Sequence, residues 1–314
     1  MPATFSVVIP THDRRQVLAE VLAAVEGQAG APEFEVVVVD DGSTDGTADL
    51  LRATRLRCPL TVLSQDNRGP AAARNAGVAA AQGQMVAFLG DDTVPQEGWL
   101  AAHAAAHAAR RQRQPLAVIG YTAWHRRMRL TPFLRHINEH GLQFGYSLIA
   151  DRERVPFNFF YTSNVSLPRQ PLLDEPMDLG FPYAAWEDIE LSYRLHRRGL
   201  TMVYEPRAVV EHDHPTDFDR FTRRQQRAGF SAVVFYQRHP ELGPFLGLGP
   251  QGPPPLPSAL DQRLREGVVR ALQKLPVNAP RLWEEALRYH YILGLQRGWS
   301  RLVGPPEGGC DEPD

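Results

Sequence analysis

Short apolar runs alternate with helical patterns along the first hundred residues of the chain. Runs rich in β-branched residues predict strands over 5–9, 35–39, 60–63 and 86–89. The segments between them predict helices over 16–25, 47–55 and 70–81, bounded by glycine and proline. Strands separated by single helices predict a mostly parallel sheet with right-handed crossovers. The fold class is therefore α/β and Rossmann-like, with helices flanking the sheet.

The pattern weakens over the rest of the chain. We predict further helices over 99–113, 186–198 and 217–237, and strands over 117–121, 161–167, 202–204 and 208–210. Residues 122–160 have few clear periods and predict a variable insertion. Proline and glycine are frequent in a hinge that precedes two or three terminal helices. The predicted organisation is a domain over 1–242 with halves 1–121 and 122–242, a hinge over 243–257, a helical extension over 258–303 and a disordered tail over 304–314.

Composition limits the classes of function. The 314 residues carry a formal net charge of −2, so no overall field favours nucleic acid as a partner. The two cysteines, Cys58 and Cys310, lie far apart, which favours a reducing compartment over a disulfide framework. No signal-peptide pattern and no run of membrane-spanning length occurs. We expect a cytoplasmic protein, with association at a membrane surface as the alternative.

Polar side chains follow several of the predicted strands. The carboxyl ends of parallel strands meet at one edge of a sheet, where ligands bind in open α/β folds. The early strand ends should therefore converge. The groups at strand ends are Pro10-Thr11-His12-Asp13, Asp40-Asp41, Asp91-Asp92 and the pair His212 and His214.

These groups predict a metal–diphosphate site. Crowded carboxylates repel one another unless a cation compensates them. Carboxylate oxygens and imidazole nitrogens suit Mg²⁺ or Mn²⁺ bridging two phosphates, so Asp92, with His212 or His214, is the predicted metal-binding group. Acidic turn residues and exposed histidines would produce the same pattern, and that alternative stays open. Arg68 begins a predicted helix and could meet a phosphate, although an exposed arginine is equally consistent.

A second acidic centre is Trp186-Glu187-Asp188. Acids at a helix start are favoured by the helix dipole alone, which is the structural alternative. In the functional interpretation, Asp188 is a general base that takes a proton from an acceptor hydroxyl. Trp186 would then present a flat apolar face to a sugar ring.

Several of these segments together resemble a known family. The chain resembles the nucleotide-sugar half of family 2 glycosyltransferases with the GT-A fold over roughly 4–240, and the set of motifs is specific. The Phe88–Asp92 strand end and the Trp186-Glu187-Asp188 motif follow in matching order. The other matching motifs are Val7-Val8-Ile9-Pro10-Thr11-His12-Asp13-Arg14, Val38-Val39-Asp40-Asp41-Gly42-Ser43-Thr44-Asp45 and Ala73-Arg74-Asn75-Ala76-Gly77.

The resemblance implies an inverting, metal-dependent transfer from a nucleoside diphosphate sugar to a hydroxyl. It makes 1–121 the nucleotide-sugar half and 122–242 the acceptor half. By matching position, the donor side comprises Pro10, Thr11, Asp13, Asp41, Arg68, Asp91 and Asp92. Among these, Thr11 and Asp41 would contact the base, Asp91 the ribose and Asp92 the metal. Asp188 would be the base, with Asn164, Trp186 and Glu187 on the acceptor side.

Two departures from the family pattern affect these expectations. Gly90 stands where the family often has a third acid, which predicts weaker metal binding. His12-Asp13 replaces the commoner Tyr-Asn, so the choice among UDP-, GDP- and dTDP-linked donors stays open.

Other functions and partners remain as alternatives. A non-catalytic nucleotide-sugar binding module would not need Asp188. A sugar nucleotidyltransferase would carry a glycine-rich phosphate loop near the first strand, and none is present there. Arginines and phenylalanines in the 217–237 helix would suit a lipid-linked acceptor or peripheral membrane contact, although such a helix more often packs in the core. A homodimer is a further open expectation.

Overall fold

The computed structural model describes residues 4–110, 114–272 and 277–304. The predicted disordered tail lies outside these residues from 305 onward, as do 111–113 of the helix predicted over 99–113. The strands are β1 (Phe5–Thr11), β2 (Phe34–Asp40), β3 (Leu60–Ser64), β4 (Met85–Leu89), β5 (Thr93–Pro95), β6 (Leu116–Trp124), β7 (Asn164–Pro168) and β8 (Thr201–His212).

Helices alternate with these strands and then continue alone after residue 215. They are α1 (Arg15–Glu26), α2 (Thr47–Ala53), α3 (Pro70–Ala80), α4 (Trp99–Ala109), α5 (Pro132–Glu139), α6 (Arg169–Asp174), α7 (Glu187–Arg197), α8 (Phe218–Arg238), α9 (Ala259–Leu272) and α10 (Pro280–Leu302). Short 3₁₀ turns occur at Tyr146–Leu148, Phe157–Phe159 and Pro240–Leu242. None of the described helices combines the length and apolar character needed to cross a membrane.

The strands form one mixed sheet with the order β3-β2-β1-β4-β7-β6-β8-β5. Pairing is parallel for β1 with β2 and β4, for β2 with β3, and for β6 with β8. It is antiparallel where β7 joins β4 to β6 and where β5 meets β8. The alternation predicted over the first hundred residues is therefore confirmed. β1, β2 and β3 are each followed by a single helix, and β1, β2 and β4 are largely buried, whereas the edge strand β3 is partly exposed.

The sheet core is built from the apolar runs themselves. Val36 to Val39 and Val7 to Ile9 are fully buried, and side chains of alternate residues pack into clusters on opposite faces. Helix α3 approaches one face closely. A Cβ at its Gly77 would lie 2.4 Å from Val8 Cγ1, so this position of the Ala-Arg-Asn-Ala-Gly motif requires glycine for packing.

The structure differs from the sequence predictions at three places. The strands predicted over 202–204 and 208–210 are one strand, β8, with an irregularity opposite Gly120 and Tyr121. The predicted insertion over 122–160 contains the end of β6 and helix α5, whose eight residues are too few to show a clear period. The three-residue strand β5, which ends at Pro95, was not predicted.

The described residues divide into two compact units. The first comprises those within 1–130, 136–179 and 187–215, and the second those within 131–135, 180–186 and 216–314. The sheet belongs to the first unit. The longest segment of the second unit begins at 216, and α8 packs along α10 within it. The predicted division into domains at the hinge over 243–257 stays a prediction.

Glycine allows the close contact between α8 and α10 in the second unit. A Cβ at Gly229 would lie 2.1 Å from the Tyr291 carbonyl oxygen, and one at Gly294 would lie 2.1 Å from that of Gln226. Aromatic residues fill the neighbouring core of this unit. Phe133 contacts three other rings edge to face, those of Phe218, Phe221 and Trp283.

Candidate active site

A carboxylate and two imidazoles lie together at one end of the sheet. The donor atoms of Asp92, His212 and His214 all lie within 4.8 Å of one another. Asp92 Oδ2 is 3.5 Å from His212 Nε2 and 3.3 Å from His214 Nδ1. Strand pairing explains this proximity, because β5 follows Asp92 directly and places Thr93 opposite His212 of β8.

Aromatic stacking holds the two imidazoles. The His212 ring stacks on Trp124 at 5.6 Å and on His214 at 5.2 Å, and Phe144 meets it edge-on. The Asp213 amide, between the two histidines, donates to the Asp92 carbonyl oxygen at 2.7 Å. Both the main chain and the rings therefore fix the three ligand atoms relative to one another.

These residues fit a divalent cation. Burial by itself would raise the pKa of Asp92, but the neighbouring His212 and His214 lower it below its ordinary value, so the carboxylate is ionised. One carboxylate oxygen and two imidazole nitrogens form a donor set that divalent metals accept, and water or phosphate oxygens can complete it. The Arg14 guanidinium also approaches Asp92 Oδ2, at 3.7 Å.

Asp91 differs from its neighbour in charge state. Its carboxylate accepts the His12 amide at 3.4 Å. Burial and the adjacent Asp92 charge raise the pKa of Asp91 to about 7. The two acids of this pair are thus unequal, and only Asp92 belongs to the cluster of possible metal ligands.

The loops after β1 and β2 are joined by hydrogen bonds. Asp13 has a φ of 51°, and its Oδ1 accepts the Thr44 amide at 2.7 Å while its own amide donates to Ser43 Oγ at 2.9 Å. The Asp41 amide donates to the Thr11 carbonyl oxygen at 2.9 Å. Pro10 and Thr11 are the last residues of β1 and are buried. These predicted donor-side residues are therefore brought together.

The Asp41 carboxylate is occupied by the loop before α3. It accepts hydrogen bonds from Gln65 Nε2 at 2.7 Å, from the Arg68 amide at 2.9 Å and from the Gly69 amide at 2.8 Å. Arg68 joins the site through its main chain, and its side chain is exposed. Asp41 consequently shapes the loop, and its predicted contact with a base stays a prediction.

Glu187 and Asp188 begin α7 as an acidic pair, in which Glu187 is buried and Asp188 is half-buried. Asp188 Oδ2 accepts the Thr162 amide at 3.4 Å, and Oδ1 accepts the Ile189 amide at 2.9 Å. Burial raises the pKa of Asp188 above its usual value. Burial and the Asp188 charge raise the pKa of Glu187 to about 7.

One short segment contacts both acidic centres. The Ser163 carbonyl oxygen accepts the Gly90 amide and the Thr93 hydroxyl, each at 3.3 Å, beside the Asp91–Asp92 pair. The preceding Thr162 amide reaches Asp188. The main chain just before β7 therefore links the metal-ligand cluster to the predicted base within the same unit.

Two residues predicted on the acceptor side, Asn164 and Glu187, are buried and bonded within the protein. Asn164 is fully buried and makes four hydrogen bonds, with Trp99 Nε1, His103 Nε2 and the carbonyl oxygens of Tyr121 and Ala208. Its amide has no hydrogen-bonding capacity left for an acceptor. Glu187 is 4% exposed, and its Oε1 lies 3.1 Å from Arg74 Nη1. The contacts of both side chains are therefore with other residues of the protein, and their acceptor-side role stays a prediction.

Trp186, in the second unit, is held in an uncommon conformation. Its φ of 73° is rare for a residue with a side chain, and such strain is typical of functional segments. The indole Nε1 donates to the Ala228 carbonyl oxygen at 2.9 Å, and Phe245 meets the ring edge-on. Its role as a platform for a sugar stays a prediction.

Three site residues were missed by the sequence interpretation. Arg14 and Arg74 lie in the matched motifs but were given no role, and Thr162 contributes only its amide. For the arginines, the available signal was a basic residue within a matched motif. For a main-chain contact, the sequence carries no such signal.

The sequence of the chain is similar to those of known glycosyltransferases. A family model described as glycosyl transferase family 2 matches residues 6–170. Validoxylamine A glucosyltransferase of Streptomyces hygroscopicus subsp. limoneus is 32% identical over 280 residues, covering 77% of this chain and 58% of the relative. Pre-mycofactocin glycosyltransferase of Mycobacterium tuberculosis is 30% identical over 254 residues, covering 75% and 48%. The chain thus spans about half the length of these curated relatives.

Solved structures show the same fold at low identity. The mannosyltransferase PcManGT of Pyrobaculum calidifontis, in complex with GDP-Man and Mn²⁺, superposes with a TM-score of 0.61 at 18% identity, covering 96% of this chain and 88% of that one. TarS 1–349 of S. aureus gives 0.54 at 18% identity, covering 97% and 93%.

Proposed function

Because the chain belongs to glycosyl transferase family 2 and has the GT-A fold, we propose that it transfers a sugar from a nucleoside diphosphate sugar to an acceptor hydroxyl. The transfer inverts the anomeric carbon, with Asp188 as the general base. The observation that carries the proposal is the Thr162–Ser163 main chain, which bonds to Asp188 on one side and to the Asp91–Asp92 strand end on the other.

The donor side is assigned to the joined loops at the strand ends. Pro10, Thr11, Asp13 and the loop shaped by Asp41 would surround the base, and Asp91 would accept a hydrogen bond from the ribose. Similar structures contain GDP-Man or UDP, which makes both nucleotides candidates for this chain. A dTDP-linked donor stays an alternative.

The metal is assigned to Asp92, His212 and His214. These residues would hold Mg²⁺ or Mn²⁺, which would supply positive charge for the diphosphate leaving group. Two nitrogen ligands favour Mn²⁺ over Mg²⁺, since Mg²⁺ prefers oxygen ligands. The stacked rings hold both imidazoles in place for this task.

Asp188 performs the proton transfer. Its raised pKa makes the carboxylate a stronger base than an ordinary aspartate, while the Thr162 and Ile189 amides fix its orientation. The deprotonated acceptor oxygen then forms a bond to the anomeric carbon on one face while the bond to the diphosphate breaks on the other, which inverts that carbon.

The test uses donor hydrolysis, in which water replaces the acceptor. The full chain is supplied with Mn²⁺ and UDP-, GDP- or dTDP-linked sugars, and release of nucleoside diphosphate is measured. We expect Asp188→Asn to lower the rate about 100-fold or more while donor affinity by calorimetry stays within a few-fold. The exposed Asp174→Asn serves as the matched control.

Three outcomes separate the alternatives. Unchanged hydrolysis in Asp188→Asn would refute the base assignment. Donor binding without hydrolysis or transfer in the native chain would favour a binding module. Pyrophosphate release from a nucleoside triphosphate and a sugar phosphate would identify a nucleotidyltransferase.

A further inference from the structure

A buried arginine contacts the acidic pair at the start of α7. Arg74 of α3 and Glu187 of α7 are 113 residues apart in sequence, and their side chains are 12% and 6% exposed. The contact is a single hydrogen bond from Nη1 to Oε1 at 3.1 Å. Arg74 Nε is also buried and has no hydrogen bond partner among the described residues.

Burying this group of charges has a cost that the fold does not explain. A buried ion pair adds little to stability, because desolvation offsets the attraction between its members. Packing of α3 against the sheet already uses the apolar and small residues of that helix. The second acid of the pair, Asp188, is the group that benefits from a nearby positive charge.

We propose that Arg74 and Glu187 are a positioning pair for Asp188, in which Glu187 anchors the guanidinium and the guanidinium supplies the positive charge beside the base. This inference rests on the proposed function of Asp188. Arg74 and Glu187 act through Asp188 and touch neither donor nor acceptor.

The surroundings of Asp188 fix the direction of each effect. α3 contributes Arg74, and α7 contributes Glu187 and the Ile189 amide. The segment before β7 contributes the Thr162 amide. Burial raises the pKa of Asp188, and the Arg74 charge opposes that rise. Loss of Arg74 should therefore raise this pKa further. Glu187 and Asp188 repel each other when both are ionised, so replacing Glu187 with a neutral residue should lower it.

Opposite shifts are the signature that a purely structural role would not produce. In Arg74→Met, we expect the acidic limb of the pH–rate profile to move up by about one unit. Arg74→Lys retains the charge and should stay near the native profile. Glu187→Gln should move the limb to lower pH. The substrates are UDP-glucose and GDP-mannose, each hydrolysed in the presence of Mn²⁺.

One matched control contacts the end of α3, and the other lies in α7. Arg169 donates to the carbonyl oxygens of Val78 and Ala79 at the end of α3, so Arg169→Met removes a guanidinium that holds the same helix. Glu190 is buried in α7 and paired with Arg194, so Glu190→Gln removes a neighbouring buried acid. Both controls should lower stability and leave the acidic limb in place.

A direct titration separates this inference from the proposed function. Side-chain carboxyl carbons labelled with ¹³C report the Asp188 titration by NMR, with Asp188→Asn assigning the resonance. Opposite shifts in Arg74→Met and Glu187→Gln would support the pair even if no donor is hydrolysed, an outcome that would refute only the proposed function. Unmoved titration in both variants would overturn the pair. Arg74→Gln replaces Arg74→Met if the latter does not fold.

Discussion

Asn164 connects four elements of the first unit through one amide, and its removal gives a quantitative test. Its oxygen accepts from Trp99 and His103 of α4, and its nitrogen donates to Tyr121 of β6 and Ala208 of β8. Each bond contributes about 1 kcal/mol net, and a buried group left without its partner costs about 1–3 kcal/mol. Four bonds therefore predict that Asn164→Ala lowers the free energy of unfolding by about 4 kcal/mol or more.

The histidines beside Asn164 keep this network neutral. Burial lowers the pKa of His103 and of His107 to about 4, so both rings are uncharged at pH 7. His103 Nε2 then donates to Asn164, its Nδ1 accepts from Ser166 Oγ at 2.9 Å, and His107 Nε2 donates to the same hydroxyl at 2.8 Å. One tautomer of each ring satisfies every one of these bonds, so Asn164 sits in a fixed arrangement.

Urea unfolding of the full chain measures this effect, with Asn75→Ala as the matched control. Asn75 exchanges two hydrogen bonds with the main chain of Met177, each at 2.9 Å, so its loss should cost about half as much. If Asn164 instead contacted an acceptor, its variant would unfold at a near-native urea concentration and lose acceptor affinity. A loss below about 1 kcal/mol would refute the structural role.

Two further predictions test the metal site and the second unit. We expect Asp92→Asn and His214→Ala each to weaken Mn²⁺-dependent binding of UDP or GDP about tenfold or more by calorimetry, and equal affinity with and without a chelator would contradict the metal assignment. We expect Gly294→Ala to destabilise the chain in thermal unfolding, because its Cβ would meet the Gln226 carbonyl oxygen at 2.1 Å. Gly267→Ala on α9, where a Cβ meets nothing within 4 Å, should instead stabilise by about 1 kcal/mol, and equal effects would refute the packing argument.

Local patterns determined how much of the fold could be predicted. The strands β1 to β4 and their helices were found because each apolar run is bounded by its own turn residues. The pairing of β5 with β8 was missed, since a three-residue strand ending in Pro95 carries almost no local signal. β5 lies at the edge of the sheet, where proline is tolerated.

For the candidate site, the sequence predicted which residues lie close together but not the directions of their side chains. Asp92, His212 and His214 were predicted as a group, and the structure brings them together. Asn164 and Glu187 were predicted on the acceptor side, and that role stays a prediction, while both side chains are buried by partners far away in sequence. Sequence placed these residues near the site but could not show which way they point, because that depends on α3, α4, β6 and β8.

The two acidic pairs differ in their balance of charge, which explains why one would bind a cation and the other take a proton. Asp92 has His212, His214 and Arg14 close by, and the two histidines hold its pKa low, so it stays ionised and available to a metal. Glu187 and Asp188 share Arg74, and burial raises the pKa of both.

This second arrangement opposes folding, and it fits the catalytic role that we propose for Asp188. The pKa of Glu187 rises from 4.5 to about 7 in the folded chain, so its ionisation costs stability that grows as pH rises between those values. An acidic pair that lowers stability in this way is expected where a carboxylate must bind a proton strongly, as a general base does. The asymmetry between the pairs therefore supports a division of labour, with the leaving group at Asp92 and the nucleophile at Asp188.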